Sequence, residues 1–348
     1  MPTTPHRSDP TNPTASGVGH RMRAAVYERY GGPEVVRLAD VPVPALGPGD
    51  LLVRAYASDV SVADHRLRAR DLPRGMGALA GPVVGFRHPR RQVLGMEVAG
   101  VVAATGPRVT GFRPGDRVVA ATGSGFGGHA ELVRVPASGV VAHVPDALRL
   151  DQAVALVFGG LTAHKFLRRA DVRPGVEVLV NGASGAVGTM VVQLAAASGA
   201  RVTAVCSAPN ADLVRSLGAT DVVDHLTQDV TALGRRVDVV VDCVGTLPVA
   251  RARRVLRRGG TLLLVVADLA GTVGTPFARL RGVRAVTGDL PTSAADLDEL
   301  LRLAAEGAVR PVVDRTYAFE DVVEAHRYVD TGRKRGTVVL RIRAEEQS

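Results

Sequence analysis

Apolar and polar positions alternate along this chain in two different rhythms. From Arg23 to about Pro145 the apolar residues come in short alternating runs, at residues 24–27, 51–57, 97–105, 117–121 and 130–135. Turns such as Pro48-Gly49-Asp50 and Pro114-Gly115-Asp116 separate them. Period-two runs cut by Pro and Gly predict strands, and their even spacing predicts a barrel-like β domain.

After Asp151 the period lengthens. A helical stretch at 154–170 leads into a strand at 176–181, a helix at 186–198, a strand at 202–206, a helix at 211–217 and a strand at 221–224. A strand at 237–242, a helix at 248–257 and strands at 261–266 and 283–287 follow. Strands alternating with helices are βαβ units, which predict a doubly wound parallel sheet of about six strands. The tail adds helices at 294–306 and 320–331, a strand near Val312 and an apolar strand at 337–342. Residues 1–20, rich in Pro, Thr and Ser and without an apolar stretch, are expected to form a disordered leader ahead of a fold that starts near Met22.

Composition agrees with two globular domains. The 348 residues are 46% hydrophobic and 22% charged, enough for two cores of ordinary size. No apolar run approaches the ~18 residues of a membrane span. The two cysteines, Cys206 and Cys243, cannot build a disulfide framework or a four-cysteine zinc site, and they suit a reducing cytoplasm. The net charge of +9 comes almost wholly from scattered arginines, with Lys only at 165 and 334. With no Trp and 3% aromatics the stacking surface for nucleic acid is poor, so the charge is read as compositional bias plus a small anionic ligand and not as a nucleic-acid groove.

The sharpest local motif is Val178-Leu-Val-Asn-Gly-Ala-Ser-Gly-Ala-Val-Gly188, between a strand and an amphipathic helix. Gly182, Gly185 and Gly188 allow a tight turn, close approach of backbone to a pyrophosphate, and close packing of helix on strand; the helix start offers N–H groups to phosphate. Asn181, Ser184, Ala186 and Val187 complete this cofactor-binding segment. At the end of the next strand, where a carboxylate would hold the ribose hydroxyls of NAD, the chain reads Cys206-Ser207-Ala208. Without that carboxylate a 2′-phosphate is accommodated, with Ser207 donating a hydrogen bond, so the expected cofactor is NADPH in preference to NADH.

With these motifs in hand, the chain resembles the medium-chain dehydrogenases/reductases, and among them the zinc-independent quinone oxidoreductases similar to zeta-crystallin. The resemblance runs from about Met22 to Ile342 and rests on Met22-Arg-Ala-Ala-Val, Gly31-Gly-Pro-Glu, Leu94-Gly-Met-Glu-Val-Ala-Gly-Val-Val, Phe112-Arg-Pro-Gly-Asp-Arg-Val, Gly160-Leu-Thr-Ala, the Asn181-to-Gly188 turn and Leu217-Gly-Ala-Thr-Asp-Val-Val-Asp. It implies an α/β fold: a Rossmann doubly wound parallel sheet (151–290) plus a discontinuous GroES-like β-barrel catalytic domain (21–150 and 291–348). It also implies a homodimer paired through the Rossmann sheets at the short strand 283–286.

Zinc-dependent members place Cys, His and Cys at positions that align with Ser61, Met96 and Phe158 here, none of them a competent zinc ligand in this setting. No metal is therefore expected. Without a Lewis acid for the alkoxide, alcohol oxidation loses its support, whereas reduction of a polarised double bond needs only a hydride, hydrogen bonds to the developing oxyanion and a proton. The expected activity is NADPH-dependent reduction of a quinone or an α,β-unsaturated carbonyl. The alternatives are a zinc-free alcohol or carbonyl oxidoreductase, a pathway enoyl reductase, or an NADPH-regulated binding protein with RNA affinity and little turnover.

The resemblance also nominates site residues. Ser61 stands where these reductases usually carry Asn and can hold a substrate oxygen or the nicotinamide ribose; Asp64 matches a recurrent Asp and can orient the site. Each also reads as a turn or helix-start residue. Thr162 matches a Thr on the nicotinamide side, and Cys243-Val244-Gly245 ends the fourth strand at the ligand-binding edge of the sheet. Asn210 and His225 fall near a Lys and a Tyr that grip the 2′-phosphate in relatives, and Arg335 falls where relatives reach the pyrophosphate. The loop from Arg70 to Arg91 is expected to cap the site.

Overall fold

The structure, a computed structural model, describes residues 21–288 and 291–344; the expected leader at 1–20 lies outside the described residues. Strand β1 (Arg21–Val26) pairs antiparallel with β2 (Arg37–Pro42). The central strand of the first domain is β3 (Asp50–Val60), which holds β4 (Glu97–Thr105) and β6 (Leu132–Pro136) antiparallel. β4 carries β5 (Arg117–Ala121), which carries β7 (Val140–His143). Alternation explains why these segments form a sheet: Leu51, Val53, Ala55 and Ala57 are buried while their neighbours Leu52, Arg54 and Tyr56 are less so.

The second domain opens with α3 (Leu150–Leu167), following α1 (Val62–Ala69) and α2 (Gly77–Val84) between β3 and β4. Then come β8 (Glu177–Asn181), α4 (Ala186–Ala197), β9 (Arg201–Cys206), α5 (Ala211–Ser216), β10 (Asp221–Asp224), β11 (Val237–Asp242), α6 (Val249–Ala252), β12 (Leu256–Leu264), α7 (Leu269–Gly274) and β13 (Arg284–Val286). All six strands are parallel, in the order β10-β9-β8-β11-β12-β13. Their near-continuous Val and Leu runs suit a sheet buried on both faces. The order reverses between β8 and β11, so the crevice at their C-terminal ends is the ligand-binding edge. The chain then runs through α8 (Ala294–Ala305), β14 (Val313–Ala318), α9 (Val322–Asp330) and β15 (Thr337–Arg341); β15 returns to pair antiparallel with β3, and β14 lies parallel on β15.

Several elements depart from the sequence pattern, among them β7, α1 and α7, which it does not predict, and three more. The helix expected at 248–257 stops at Ala252, and β12 starts at Leu256. Val237 pairs with Leu256 and its N–H donates to the carbonyl of Val255, so sheet pairing of two buried apolar residues overrides the helix-favouring arginines around them. Strand β2 was not legible because its residues are mostly half-exposed and only pairing with β1 orders them. Inside the 70–91 loop the chain forms the short helix α2.

Candidate active site

The glycine turn sits at the crevice. Gly182 has φ +78°, and a Cβ there would run into the side chain of Val244; at Gly188 it would run into the carbonyl of Gly182. At Gly185 the nearest atom to such a Cβ is 3.6 Å away, so that face is open. Gly185 is also the N-cap of α4 and, having no side chain, leaves the first-turn amides of Ala186, Val187 and Gly188 uncapped at a positive helix end. Its free amides and its open space fit the pyrophosphate of a dinucleotide.

Neighbouring side chains fix the turn. Asn181 donates to Asp242 Oδ1 and to Thr246 Oγ1, both at 2.8 Å, which ties the ends of β8 and β11 together. Asp242, fully buried, also accepts from the N–H groups of Val244 (3.2 Å), Gly245 (3.0 Å) and Leu247 (2.7 Å). It therefore shapes the Cys243–Gly245 turn, and sequence reading missed it although it directly precedes Cys243. The Cys243 and Cys206 thiols are both pushed up by burial, so neither is a thiolate near neutrality.

Past the end of β9, Asn210 donates to Ser207 Oγ (3.1 Å) and Ser184 Oγ (3.2 Å), drawing three expected residues into one polar group. His225 is exposed after β10, and its N–H donates to the carbonyl of Cys206 at 3.2 Å. Thr162 is half-buried in α3, one turn beyond Gly159, where α3 meets the start of α4.

The first domain meets the cradle through the turn before β15. The Gly336 N–H donates to the Ser184 carbonyl at 2.8 Å, and Thr337 Oγ1 donates to the Ala155 carbonyl at 3.1 Å. Arg335 is exposed beside this contact, its backbone N–H bonded to Asp314. Farther along the cleft, the Leu269 N–H donates to the Arg74 carbonyl at 3.0 Å, so the 70–91 segment straps the two domains together.

Ser61 and Asp64 lie at the end of β3 as a reciprocal capping box on α1. Ser61 Oγ donates to Asp64 Oδ2 at 2.7 Å, its N–H donates to the same oxygen at 2.9 Å, and the Gly95 N–H donates to Asp64 Oδ1 at 2.9 Å. Both are buried. The structure thus uses them as a helix cap and as an anchor for the Gly95-Met96-Glu97 segment.

With this geometry described, comparison with known proteins identifies the lineage. Residues 47–146 match the family model described as "Alcohol dehydrogenase GroES-like domain", and residues 217–340 match "Zinc-binding dehydrogenase". A 2-methylene-furan-3-one reductase of Solanum lycopersicum is 31% identical over 339 residues, 94% of this chain and 81% of the relative. The chain belongs to the medium-chain dehydrogenase/reductase family, in its quinone oxidoreductase branch. A chloroplastic quinone-oxidoreductase of Triphysaria versicolor is 29% identical over 92% of this chain and 99% of its own. The quinone oxidoreductase of Coxiella burnetii superposes with a TM-score of 0.83 at 27% identity, covering 93% of this chain and all of its own. A mycobacterial protein solved in complex with NADPH gives a TM-score of 0.76 at 30% identity over 92% of this chain and all of its own.

One matched domain is described as zinc-binding, and a protein zinc site needs three or four His, Cys or carboxylate donors. Ser61 is committed to Asp64, and Met96 and Phe158 supply a thioether and a ring. Among the described residues no group of three or more His, Cys, Asp or Glu stands close enough to hold a metal ion. These side chains do not fit a tetrahedral zinc site.

Proposed function

We propose that this protein is a zinc-independent, NADPH-dependent reductase of quinones or α,β-unsaturated carbonyls. The observation that carries this reading is the open, uncapped glycine cradle at the switch point of the sheet, with a ribose end made of Ser207, Ser184 and Asn210 instead of a carboxylate. The named activities of its relatives in this branch, quinone and enone reduction, support the acceptor class. NADPH, when bound, supplies a hydride.

The residues divide the remaining work. The α4 amides and Arg335 face phosphate charge, Ser207 and Asn210 donate to the ribose 2′ substituent, and Cys243–Gly245, held by Asp242, line the nicotinamide ribose beside Thr162. Ser61 and Asp64 stand on the acceptor side; the Ser61 hydroxyl, bonded to Asp64 in the structure, turns from it to donate to the developing oxyanion. The 70–91 strap closes the acceptor end and limits water.

A homodimer belongs to the same reading. β13 is the edge of the six-stranded sheet, and beside it Val273, Phe277 and Leu280 are exposed, Leu280 by 86%. A second copy pairing edge to edge would cover them. No helix among the described residues is long and apolar enough to cross a membrane. A cytoplasmic location belongs to the same reading and is supported by the two free cysteines, which suit a reducing compartment.

The test is NADPH consumption against a panel of quinones and enones, with metal analysis of the purified protein. Tight NADPH binding without reduction of any acceptor would refute the catalytic reading. One zinc per chain would refute zinc independence.

A further inference from the structure

Among the described residues, eight buried side-chain polar atoms have no hydrogen-bonding partner, and six of them lie in one cluster beneath Ser61 and Asp64. They are Asp59 Oδ1, Glu97 Oε2, His129 Nδ1, both ring nitrogens of His326 and Arg68 Nε. The five side chains are at most 3% exposed. Protein interiors do not leave such groups unpaired; a proton or a buried water completes them.

Asp59, near the end of β3, and Glu97, at the start of β4, face each other across the two strands, one step beyond the Ala57–Ala99 pair, with their carboxyls in contact and an oxygen of each unpartnered. Two ionised carboxylates are acceptors only, so this contact requires a proton on one of them. A single proton between Glu97 Oε2 and Asp59 Oδ1 gives both orphaned oxygens a partner. The groups facing the pair are Asp64 from α1, His129 from the segment before β6, and Lys334 from the turn before β15. Burial first, and then the neighbouring acid, holds Glu97 well above the usual carboxylate range.

The cluster continues away from the acceptor side. His129 Nε2 donates to the Asp59 carbonyl at 2.8 Å, and its ring meets that of His326 edge-on, 5.7 Å between centroids. Beyond His326 lie Arg68 and His65, both bonded to Asp330; Arg68 Nη2 is 2.6 Å and His65 Nδ1 2.8 Å from Asp330 Oδ1. Asp330 and His65 are only half-buried. A file of titratable groups therefore runs from the surface between α1 and α9, through two histidines whose free nitrogens call for water, to the acid pair and then to Asp64 and Ser61. The Ser61 hydroxyl hydrogen-bonds to Asp64.

We infer that the Asp59–Glu97 pair is the proton store for reduction at this site, filled from the surface through His326 and His129 and emptied through Asp64 and Ser61. This deepens the proposed reductase activity and rests on it. Hydride addition leaves the acceptor as an anion one proton short of product. The Ser61 hydroxyl turns from Asp64 and gives its proton to that oxyanion as Asp64 takes the shared proton of the pair and passes it to Ser61 Oγ. Ser61 and Asp64 end as they began, the acceptor is neutral, and the pair is left doubly ionised until a solvent proton arrives through the histidines. No electrons move in this relay. Neither carboxyl of the pair touches the acceptor; they act through Asp64 and Ser61.

The test uses the whole protein, with infrared spectroscopy in water and deuterium oxide at pH 7 and steady-state kinetics from pH 6 to 9. The wild type is expected to show a deuterium-sensitive band from a protonated carboxyl and a kcat that changes less than twofold across that range. Glu97→Gln is expected to lose the band and at least tenfold in kcat, with kcat falling further as pH rises and the KM for NADPH within twofold of wild type. Asp59→Asn removes the acid that shares the proton with Glu97 and puts an amide in its place; it is expected to lose at least tenfold in kcat with the KM for NADPH within twofold of wild type, and it keeps the test available where Glu97→Gln does not fold. Absence of the band in the wild type, or wild-type pH profiles in the folded variants, overturns the proton store while leaving the reductase reading intact. A wild type that binds NADPH and reduces no acceptor overturns both.

Discussion

At the scale of single residues, the acid pair and the buried histidine give opposite pH signatures. Burial raises the folded-state pKa of Asp59 to about 6, above the ~3.9 of an unfolded aspartate. Its contribution to stability is therefore full below about pH 4 and lost as pH rises towards 6. Asp59→Asn lacks that loss, so the variant should gain on the wild type between pH 4 and 6, by about 2–3 kcal/mol at most, as read by urea unfolding at several pH values. His326 is held well below the usual histidine value by burial, then by His129, Arg68 and His65. The unfolded chain takes up that proton first, so this residue removes stability as pH falls below about 6.5, and His326→Leu should flatten the acid limb of the stability curve. In the cradle, Gly188→Ala would drive a methyl into the Gly182 carbonyl and the Ala183 backbone, neither of which can yield without opening the turn. A fall of at least tenfold in NADPH affinity is expected by fluorescence titration, in a protein that still folds.

At the scale of elements, local pattern fixes structure where it coincides with tertiary demand. The alternating run that became β4 and the Val-rich runs that became β10 and β11 have the bounds their periodicity predicts, because each side chain's face is set by its own strand. The 248–257 segment shows the converse: Val255 and Leu256 are captured by Val237 across the sheet, a partner that no local window contains. The Ser61–Asp64 pair was legible as a spacing, yet its reciprocal capping geometry, with Gly95 docked on the same carboxylate, required the fold. Asp64→Ala should cost about 1–3 kcal/mol by removing the cap and leaving the Gly95 N–H unpaired, measurable by denaturant unfolding. The strap makes a separate prediction. Gly75 has φ +81°, and a Cβ there would press on Leu269 of the opposite domain. Gly75→Ala should loosen the strap and raise the KM for the acceptor several-fold, with NADPH affinity unchanged.

At the scale of the whole molecule, the exposed Val273, Phe277 and Leu280 beside the β13 edge predict association. Leu280→Asp should convert the expected dimer to monomer in sedimentation at micromolar concentration, and a monomeric wild type would remove the dimer from the reading. The sequence by itself determined the class of the chain, the parallel sheet, the glycine cradle and the missing carboxylate at the ribose end, since each depends on residues close together in sequence and on backbone rules that hold locally. Only the tertiary structure decided that Gly336 closes on Ser184, that Asn181 ties to Asp242, and that Asp59 meets Glu97. Those contacts join residues 38 to 152 positions apart, and Asp59 and Glu97 each sit in an apolar strand where the local pattern reads them as ordinary polar interruptions. What makes them chemically unusual is burial beside another acid, a property of the space around them that no stretch of sequence carries.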